Sequence, residues 1–143
     1  MILTTKGRYA VMSLLDIATS QQDSPVSLGN IALRQNISIN YLEQIFNKLK
    51  CANLVTPIKG PGGGYILARS AQEISIKQII DAVGESLEMT RCGNNPEKRC
   101  LAKNTKCFTH NLWNNLSGKI NQYLNDISIK DVIENNLSLE SGS

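Results

Sequence analysis

The spacing of apolar side chains predicts three helices in the first third of the chain. The first begins near Thr4 or Thr5, a short second helix follows Ser27, and the third runs from Ile39 or Asn40 to Ala52. Each helix is expected to bury one apolar face, because its apolar positions recur at helical steps. These positions are Val11, Leu14, Leu15 and Ala18 in the first helix, Ile31, Ala32 and Leu33 in the second, and Leu42, Ile45, Phe46 and Leu49 in the third.

The turn before the third helix carries helix-starting residues. Ser38 or Asn40 is expected to cap that helix, and Asn40 stands three residues before Glu43, the spacing of a capping box. Two helices joined by the tight turn 35–38 predict a helix-turn-helix.

A glycine-rich hairpin and two further helices follow. Residues 54–58 and 65–67 predict two short strands around a turn at residues 59–64. A capping box at Ser75 and Gln78 opens a fourth helix that Gly84 ends, and a long helix is expected over residues 107–126. Its seam of Leu116, Ile120, Tyr123 and Ile127 steps by four, three and four, which is typical of a helix that pairs with a second copy. A last short helix starts at Ser128, and a frayed tail follows from residue 135.

This order of elements predicts a mainly α fold with a small β-hairpin wing, that is, a winged helix-turn-helix with a long dimerisation helix. Residues 1–86 are interpreted as the DNA-binding region, with the helix-turn-helix at about 28–51 and the wing at about 54–68. Residues 87–143 are interpreted as a metal-binding loop, the dimerisation helix and a short tail.

Composition limits the possible classes of protein. The chain has 143 residues, of which 41% are hydrophobic and 19% charged, which suits one folded domain. Its apolar runs are too short for a membrane span, so no membrane partner is expected. The N-terminus is polar and basic without the apolar core of a signal peptide, which favours a cytoplasmic location.

Charge is divided unevenly along the chain. Residues 1–69 hold seven basic and three acidic side chains, a net charge of +4, whereas residues 70–143 carry −1. A polyanion would therefore dock on the first half, although such a charge also serves solubility. The outer face of the third helix and the hairpin tip supply hydrogen-bonding groups for a DNA groove and its backbone. The candidate DNA contacts are Thr4, Lys6, Arg8, Ser38, Asn40, Tyr41, Glu43, Gln44, Lys59, Gly60, Pro61, Gly62 and Gly63.

Three of the four cysteines lie close together. Cys92, Cys100 and Cys107 are followed by the only histidine, His110, and in a reducing compartment such a group predicts metal or redox chemistry. Three cysteines and a histidine suit a structural zinc ion or an iron–sulfur cluster equally well by spacing alone. Cys51 stands apart and is expected to be a small, half-buried apolar residue.

Five segments together resemble the IscR-type family of winged helix-turn-helix transcription regulators. They are Leu3–Val11, Ile37–Phe46, Gly60–Tyr65, Thr90–Cys92 and Thr109–Trp113. The resemblance implies a homodimer that binds promoter DNA and holds a [2Fe-2S] cluster through three cysteines and one histidine. It also implies repression of the operon for iron–sulfur cluster assembly, with other promoters bound without the cluster, and a cluster-donor machinery as a partner.

Two other functions use the same ligands. One is a zinc-stabilised DNA-binding regulator without cluster sensing, and the other is a small iron–sulfur electron carrier. The electron carrier leaves the basic first half and the glycine wing without a role. No arrangement of catalytic residues is recognisable, so an enzyme is not expected.

Overall fold

A computed structural model describes residues 5–20, 24–85 and 108–134. Along the chain the helices and strands are α1 (Thr5–Thr19), α2 (Leu28–Gln35), α3 (Ile39–Cys51), β1 (Val55–Ile58), β2 (Gly64–Leu67), α4 (Ile76–Ala82) and α5 (His110–Asp126). Residues 129–134 form a further helical segment. The mainly α architecture with one β-hairpin is the predicted one. Within the described ranges, no helix has both the length and the apolarity to cross a membrane.

Local side-chain chemistry sets the helix ends. Ser27 caps α2 by accepting a hydrogen bond of 3.1 Å from the backbone N–H of Asn30. Asn36 ends α2 in the left-handed conformation, with φ of 55°. At α4 the side chain of Ser75 accepts from the N–H of Gln78, and the Gln78 side chain accepts from the N–H of Ser75, which confirms the predicted capping box.

The start of α3 corrects one expectation. The helix begins at Ile39 with Ser38 at the N-cap position, and the Ser38 side chain makes no capping hydrogen bond. Asn40 therefore lies inside the first turn, so the box expected between Asn40 and Glu43 does not cap this helix. The hydroxyl of Ser38 and the side-chain amide of Asn40 are therefore available to partners other than the backbone of α3.

The hairpin is a two-stranded antiparallel sheet. Its register pairs Val55 with Leu67, Thr56 with Ile66, Pro57 with Tyr65 and Ile58 with Gly64. Proline has no backbone N–H to donate. It is tolerated at Pro57 because each strand of a two-stranded sheet has one edge without a partner strand, where no N–H donor is needed.

One apolar core lies between the helices and the base of the hairpin. Its fully buried large side chains are Leu14, Ile31, Leu42, Ile45, Phe46, Leu49, Leu54, Ile74, Ile79, Ile80, Val83 and Ile129. The predicted apolar face of α3 is confirmed. On α1 only Leu14 of the predicted face is fully buried: Val11, Leu15 and Ala18 are half-buried, and Ala10 and Ile17 complete the buried face instead. Leu33 was expected to face the core, but it is 83% exposed. Residues 31 to 33 are successive, and each turns 100° from the last, so a short surface helix cannot bury all three.

The segment after α5 returns to this core. The N–H of Ile76 donates to the carbonyl of Ile127 at 2.9 Å, and the N–H of Ile129 donates to the carbonyl of Ile74 at 3.0 Å. Ser128 and Asp131 then form a reciprocal cap, as predicted, with hydrogen bonds of 3.0 and 3.1 Å. These bonds fasten the C-terminal end of α5 to α4.

Two further expectations are wrong. Cys51, expected to be half-buried, is exposed at the end of α3. The long helix was expected from residue 107, but α5 begins at His110. Cys92, Cys100, Cys107 and the tail at residues 135–143 lie outside the described residues. The division of the chain at residue 86 stays a prediction.

Candidate nucleic-acid interface and cluster ligands

Helix α3 has one buried and one exposed face. Leu42, Ile45, Phe46 and Leu49 are buried, which holds the helix against the core. Ser38, Asn40, Glu43 and Gln44 are exposed at its N-terminal end. Carboxylate, amide and hydroxyl groups at the N-terminal end of a helix are the groups that read base edges in the DNA major groove. The structure thus brings together the polar residues that the sequence predicts for base contact.

Tyr41, also predicted to contact DNA, is half-buried against α1. Its ring meets the ring of Tyr9 edge to face, with centroids 5.8 Å apart and planes at 82°. Edge-to-face pairs add about 0.5–1.5 kcal/mol beyond their burial. The pair joins the N-terminal half of α1 to the first turn of α3, so α1 helps to set the direction of α3.

The tip of the hairpin is open to solvent. Lys59, Gly60, Pro61 and Gly62 are exposed, and Gly63 is half-buried. The N–H of Gly63 donates to the carbonyl of Gly60 at 2.9 Å, and Gly62 has φ of 75°. Proline followed by a residue of positive φ is the pattern of a type II β-turn. Lys59 lies directly before this turn at the exposed end of the hairpin, where its ammonium can reach a phosphate backbone.

A contact absent from the sequence-based prediction anchors the wing. Val26, just before α2, exchanges two backbone hydrogen bonds with Tyr65, of 2.9 and 2.8 Å. The close approach needs glycine at position 64, because a Cβ there would lie 2.4 Å from the carbonyl oxygen of Val26. The Tyr65 ring also packs on Phe46 of α3, with centroids 4.8 Å apart. The wing and α3 therefore form one packed unit.

At the start of α1, Lys6 is half-buried and Arg8 is exposed. Thr4 lies outside the described residues. Both residues lie just before Tyr9 at the N-terminal end of α1, which is the end that contacts α3.

A second unpredicted feature is a buried carboxylate. Asp16 of α1 is 7% exposed and is the one charged residue in the core of the described ranges. It accepts hydrogen bonds from Arg34 Nε at 3.0 and 3.1 Å and from Gln35 Nε2 at 2.9 Å. Burial raises the pKa of this carboxyl, but the hydrogen bonds from Arg34 and Gln35 outweigh burial, so the pKa lies below its usual value of 3.8. The signal in the sequence was an aspartate between Leu15 and Ile17.

Of the predicted cluster ligands, the structure describes His110. It is the first residue of α5 and is half-buried. Among the described residues, no three metal-ligating side chains converge. The donor set itself, three thiols and one imidazole, suits a [2Fe-2S] cluster, which needs four protein ligands. The ligand assignment of Cys92, Cys100, Cys107 and His110 stays a prediction.

Helix α5 has an apolar stripe that its own domain does not cover. Ile120, Leu124 and Ile127 pack against the core. Leu112 is 56% and Tyr123 65% exposed, and Leu116, which is half-buried, lies in line with them at steps of four and seven. The seam predicted from the sequence therefore divides: Ile120 and Ile127 belong to the core, whereas Leu112, Leu116 and Tyr123 form an outer stripe.

The sequence is similar to known transcription regulators. The family described as "Rrf2: Iron-dependent Transcriptional regulator" matches residues 3–135. An HTH-type transcriptional regulator IscR of Vibrio atlanticus is 46% identical over 98% of this chain and 79% of its own length. The regulator of that name from Yersinia pseudotuberculosis is 45% identical over 98% of this chain and 84% of its own length.

Solved structures share the fold. IscR of T. potens has a TM-score of 0.76 and 31% identity, covering 95% of this chain and 88% of the other. CymR, the global cysteine regulator of B. subtilis, has a TM-score of 0.78 and 26% identity, covering 92% and 95%. These similarities confirm the predicted winged-helix fold, and the proteins concerned are regulators and not enzymes.

Proposed function

The chain belongs to the Rrf2 family of iron-dependent transcriptional regulators, and from this premise we propose that it is a cytoplasmic, homodimeric repressor that senses iron–sulfur supply through a [2Fe-2S] cluster. Its proposed target is the operon for iron–sulfur cluster assembly. The observation that carries the DNA-binding part of the proposal is the division of α3 into a buried face and an exposed polar N-terminal end, with the wing packed on α3 through Tyr65 and Phe46.

In the proposed complex, the N-terminal end of α3 enters the major groove. Asn40 and Gln44 can pair with adenine, and Glu43 can accept from the amino group of cytosine. A carboxylate close to phosphates is unfavourable unless it meets a donor, so Glu43 also rejects sequences that offer none. The wing tip at Lys59 lies on the neighbouring backbone, and Lys6 and Arg8 add contacts to phosphates.

The role of Glu43 is tested by binding to a panel of DNA sites that differ at single base pairs. Glu43→Ala is expected to lose discrimination at one or two positions, by about 1–3 kcal/mol each, while binding to the other sequences is retained. Asn47→Ala, on the outer face one turn further from the N-terminus, is the control. Equal weakening on every sequence would contradict the role in discrimination.

Cys92, Cys100, Cys107 and His110 are the residues proposed to hold the cluster. When bound, the cluster would supply an iron centre. The fraction of protein that carries it would depend on how much cluster the assembly machinery delivers. His110 begins α5, and the other end of that helix is fastened to α4 and the core. One continuous helix thus connects the proposed ligand His110 with the helices and the wing at the other end of the chain.

The cluster is tested by anaerobic purification followed by absorption spectroscopy and iron and sulfide analysis. We expect visible absorption that Cys107→Ala removes and that Cys51→Ser, at an exposed cysteine outside the group, retains. Zinc in a colourless protein would instead establish the zinc-stabilised regulator. DNA binding by the cluster-bound and cluster-free forms to several promoters, its own included, then tests sensing. Equal binding by both forms at every site would remove the sensor role.

The outer stripe of α5 supports the proposed homodimer, because its apolar residues recur at steps of four and seven and so lie on one side of the helix, where a second helix can pack against them. Leu112→Glu is expected to shift the protein toward monomer in sedimentation experiments, since it places a charge in the seam. Asn114→Glu adds the same charge to the opposite side of the helix and is the control. Unchanged dimerisation in Leu112→Glu would place the interface elsewhere.

A further inference from the structure

The contact between α1 and α2 leaves one side of an arginine exposed. Asp16 binds Arg34 through Nε and Nη2, so two of the three guanidinium nitrogens face the buried carboxylate. The Arg34 side chain nonetheless remains 47% exposed, while that of Asp16 is 4% exposed. A guanidinium is planar and has five N–H donors, so one edge can be held while the other remains free to bind.

The position of Arg34 in the fold matters as much as its geometry. It lies in the last turn of α2, four residues before Ser38, which is the N-cap residue of α3. In a helix-turn-helix the first helix crosses the sugar-phosphate backbone while the second enters the groove. Arginine is a common donor to phosphate, and it binds with a smaller loss of side-chain entropy when it is already held in place.

From this geometry we propose that Arg34 is a DNA-backbone contact, and that Asp16 is the residue that positions it. The guanidinium edge turned away from Asp16 donates to a phosphate that flanks the groove read by α3. Gln35 donates to the same carboxylate at 2.9 Å and fixes Asp16 from a second direction. The inference rests on the proposed function, in that α3 is taken as the reading helix.

A purely structural role predicts something different. If the pair served only to join α1 to α2, loss of the arginine would lower stability and leave the pattern of phosphate contacts unchanged. A backbone contact predicts loss of affinity on all sequences alike, together with a weaker dependence on salt. The two roles therefore separate when stability and DNA binding are measured on the same variants.

The experiment compares wild type, Arg34→Gln and Lys77→Gln. Lys77 is the control, because it forms an ion pair with Asp81 on α4 and its loss also removes one positive charge. We expect Arg34→Gln to bind cognate and scrambled duplexes about tenfold more weakly, with a log–log salt slope reduced by about 0.9 per subunit. We expect Lys77→Gln to match wild type.

Phosphate-ethylation interference gives the direct measurement. We expect at least one phosphate at which ethylation weakens the binding of wild type but not that of Arg34→Gln. Urea unfolding checks separately that the variant is folded. Asp16→Asn should keep the salt slope and lose part of the affinity, because the guanidinium keeps its charge but not its orientation. If Arg34→Gln does not fold, the double variant Asp16→Asn/Arg34→Gln gives the same test, since it removes the positive charge without leaving an unpaired buried carboxylate.

A folded Arg34 variant with the wild-type ethylation pattern and salt slope would overturn the inference. Failure of the wild type to bind any promoter duplex would instead remove the proposed function. If Glu43→Ala changes DNA binding but Arg34→Gln does not, the Arg34 contact alone is refuted and the proposed function stands.

Discussion

Replacing Asp16 by asparagine should lower the free energy of unfolding by about 2 kcal/mol at neutral pH. The substitution keeps the shape of the side chain but removes the charge that accepts from Arg34 and Gln35. A hydrogen bond to a charged group contributes about 1.5–3 kcal/mol. The loss should stay below the figure of about 3–5 kcal/mol for breaking a fully buried pair, because half of the Arg34 side chain already meets water.

The dependence on pH follows from the lowered pKa of Asp16. A carboxyl whose pKa is lower in the folded state stabilises the protein above its unfolded pKa, and this contribution disappears as the pH falls through the folded pKa. Wild type should therefore exceed Asp16→Asn in stability by a constant amount from about pH 7 to 5. The difference should shrink as the pH falls below about 4 and should vanish below the folded pKa.

Urea unfolding at several pH values, followed by circular dichroism, measures this difference. Asp81→Asn is the control, since Asp81 pairs with Lys77 on an exposed helix face, and its loss should change stability by about 0.5 kcal/mol or less. Equal, small effects of the two substitutions would refute the reasoning. A difference between wild type and Asp16→Asn that stays constant down to pH 3 would refute the assignment of the charge effect to Asp16.

Four further substitutions test the fold. Gly64→Ala should lower the free energy of unfolding by about 2 kcal/mol or more, because its Cβ would meet the Val26 carbonyl. Gly118→Ala, in open space on α5, should raise the free energy of unfolding by about 0.5–1 kcal/mol, because alanine favours a helix more than glycine does. The opposite signs are read from urea titrations, and a stable Gly64→Ala would contradict the close approach. Ser75→Ala should cost about 1 kcal/mol by the same measurement, since it removes a cap, and no loss would deny the cap a role. Cys51→Ser, at an exposed site, should change the free energy of unfolding by less than about 0.5 kcal/mol, and a larger loss would show that the thiol is packed.

Local pattern was sufficient for α3 and the hairpin. The apolar steps of Leu42, Ile45, Phe46 and Leu49 set the buried face of α3, and the glycines and proline of residues 60–64 permit a turn and exclude a helix. The capping box at Ser75 was equally readable, because its partners are three residues apart. In each of these elements the interacting groups are close in sequence, so the pattern records the contact.

Other features depend on which elements meet. Leu33 has the same apolar character as Ile31, and the position of α2 on the core decides that one is exposed and the other buried. On α5, two neighbouring apolar stripes repeat at the same steps, so the period alone did not separate the stripe that packs on the core from the one left outside. Only the place of α4 beside α5 makes that choice.

By itself, the sequence determined the order of elements, the buried and exposed faces of α3, the wing and the residue types available for a metal or cluster. The tertiary structure decided that Asp16 meets Arg34, 18 positions away in the chain, and that Val26 pairs with Tyr65 to anchor the wing. The physical reason is the range of the interactions. Helix periods, caps and turns act over three or four residues, whereas a buried carboxylate and an isolated strand pair find their partners only when the core brings distant segments together.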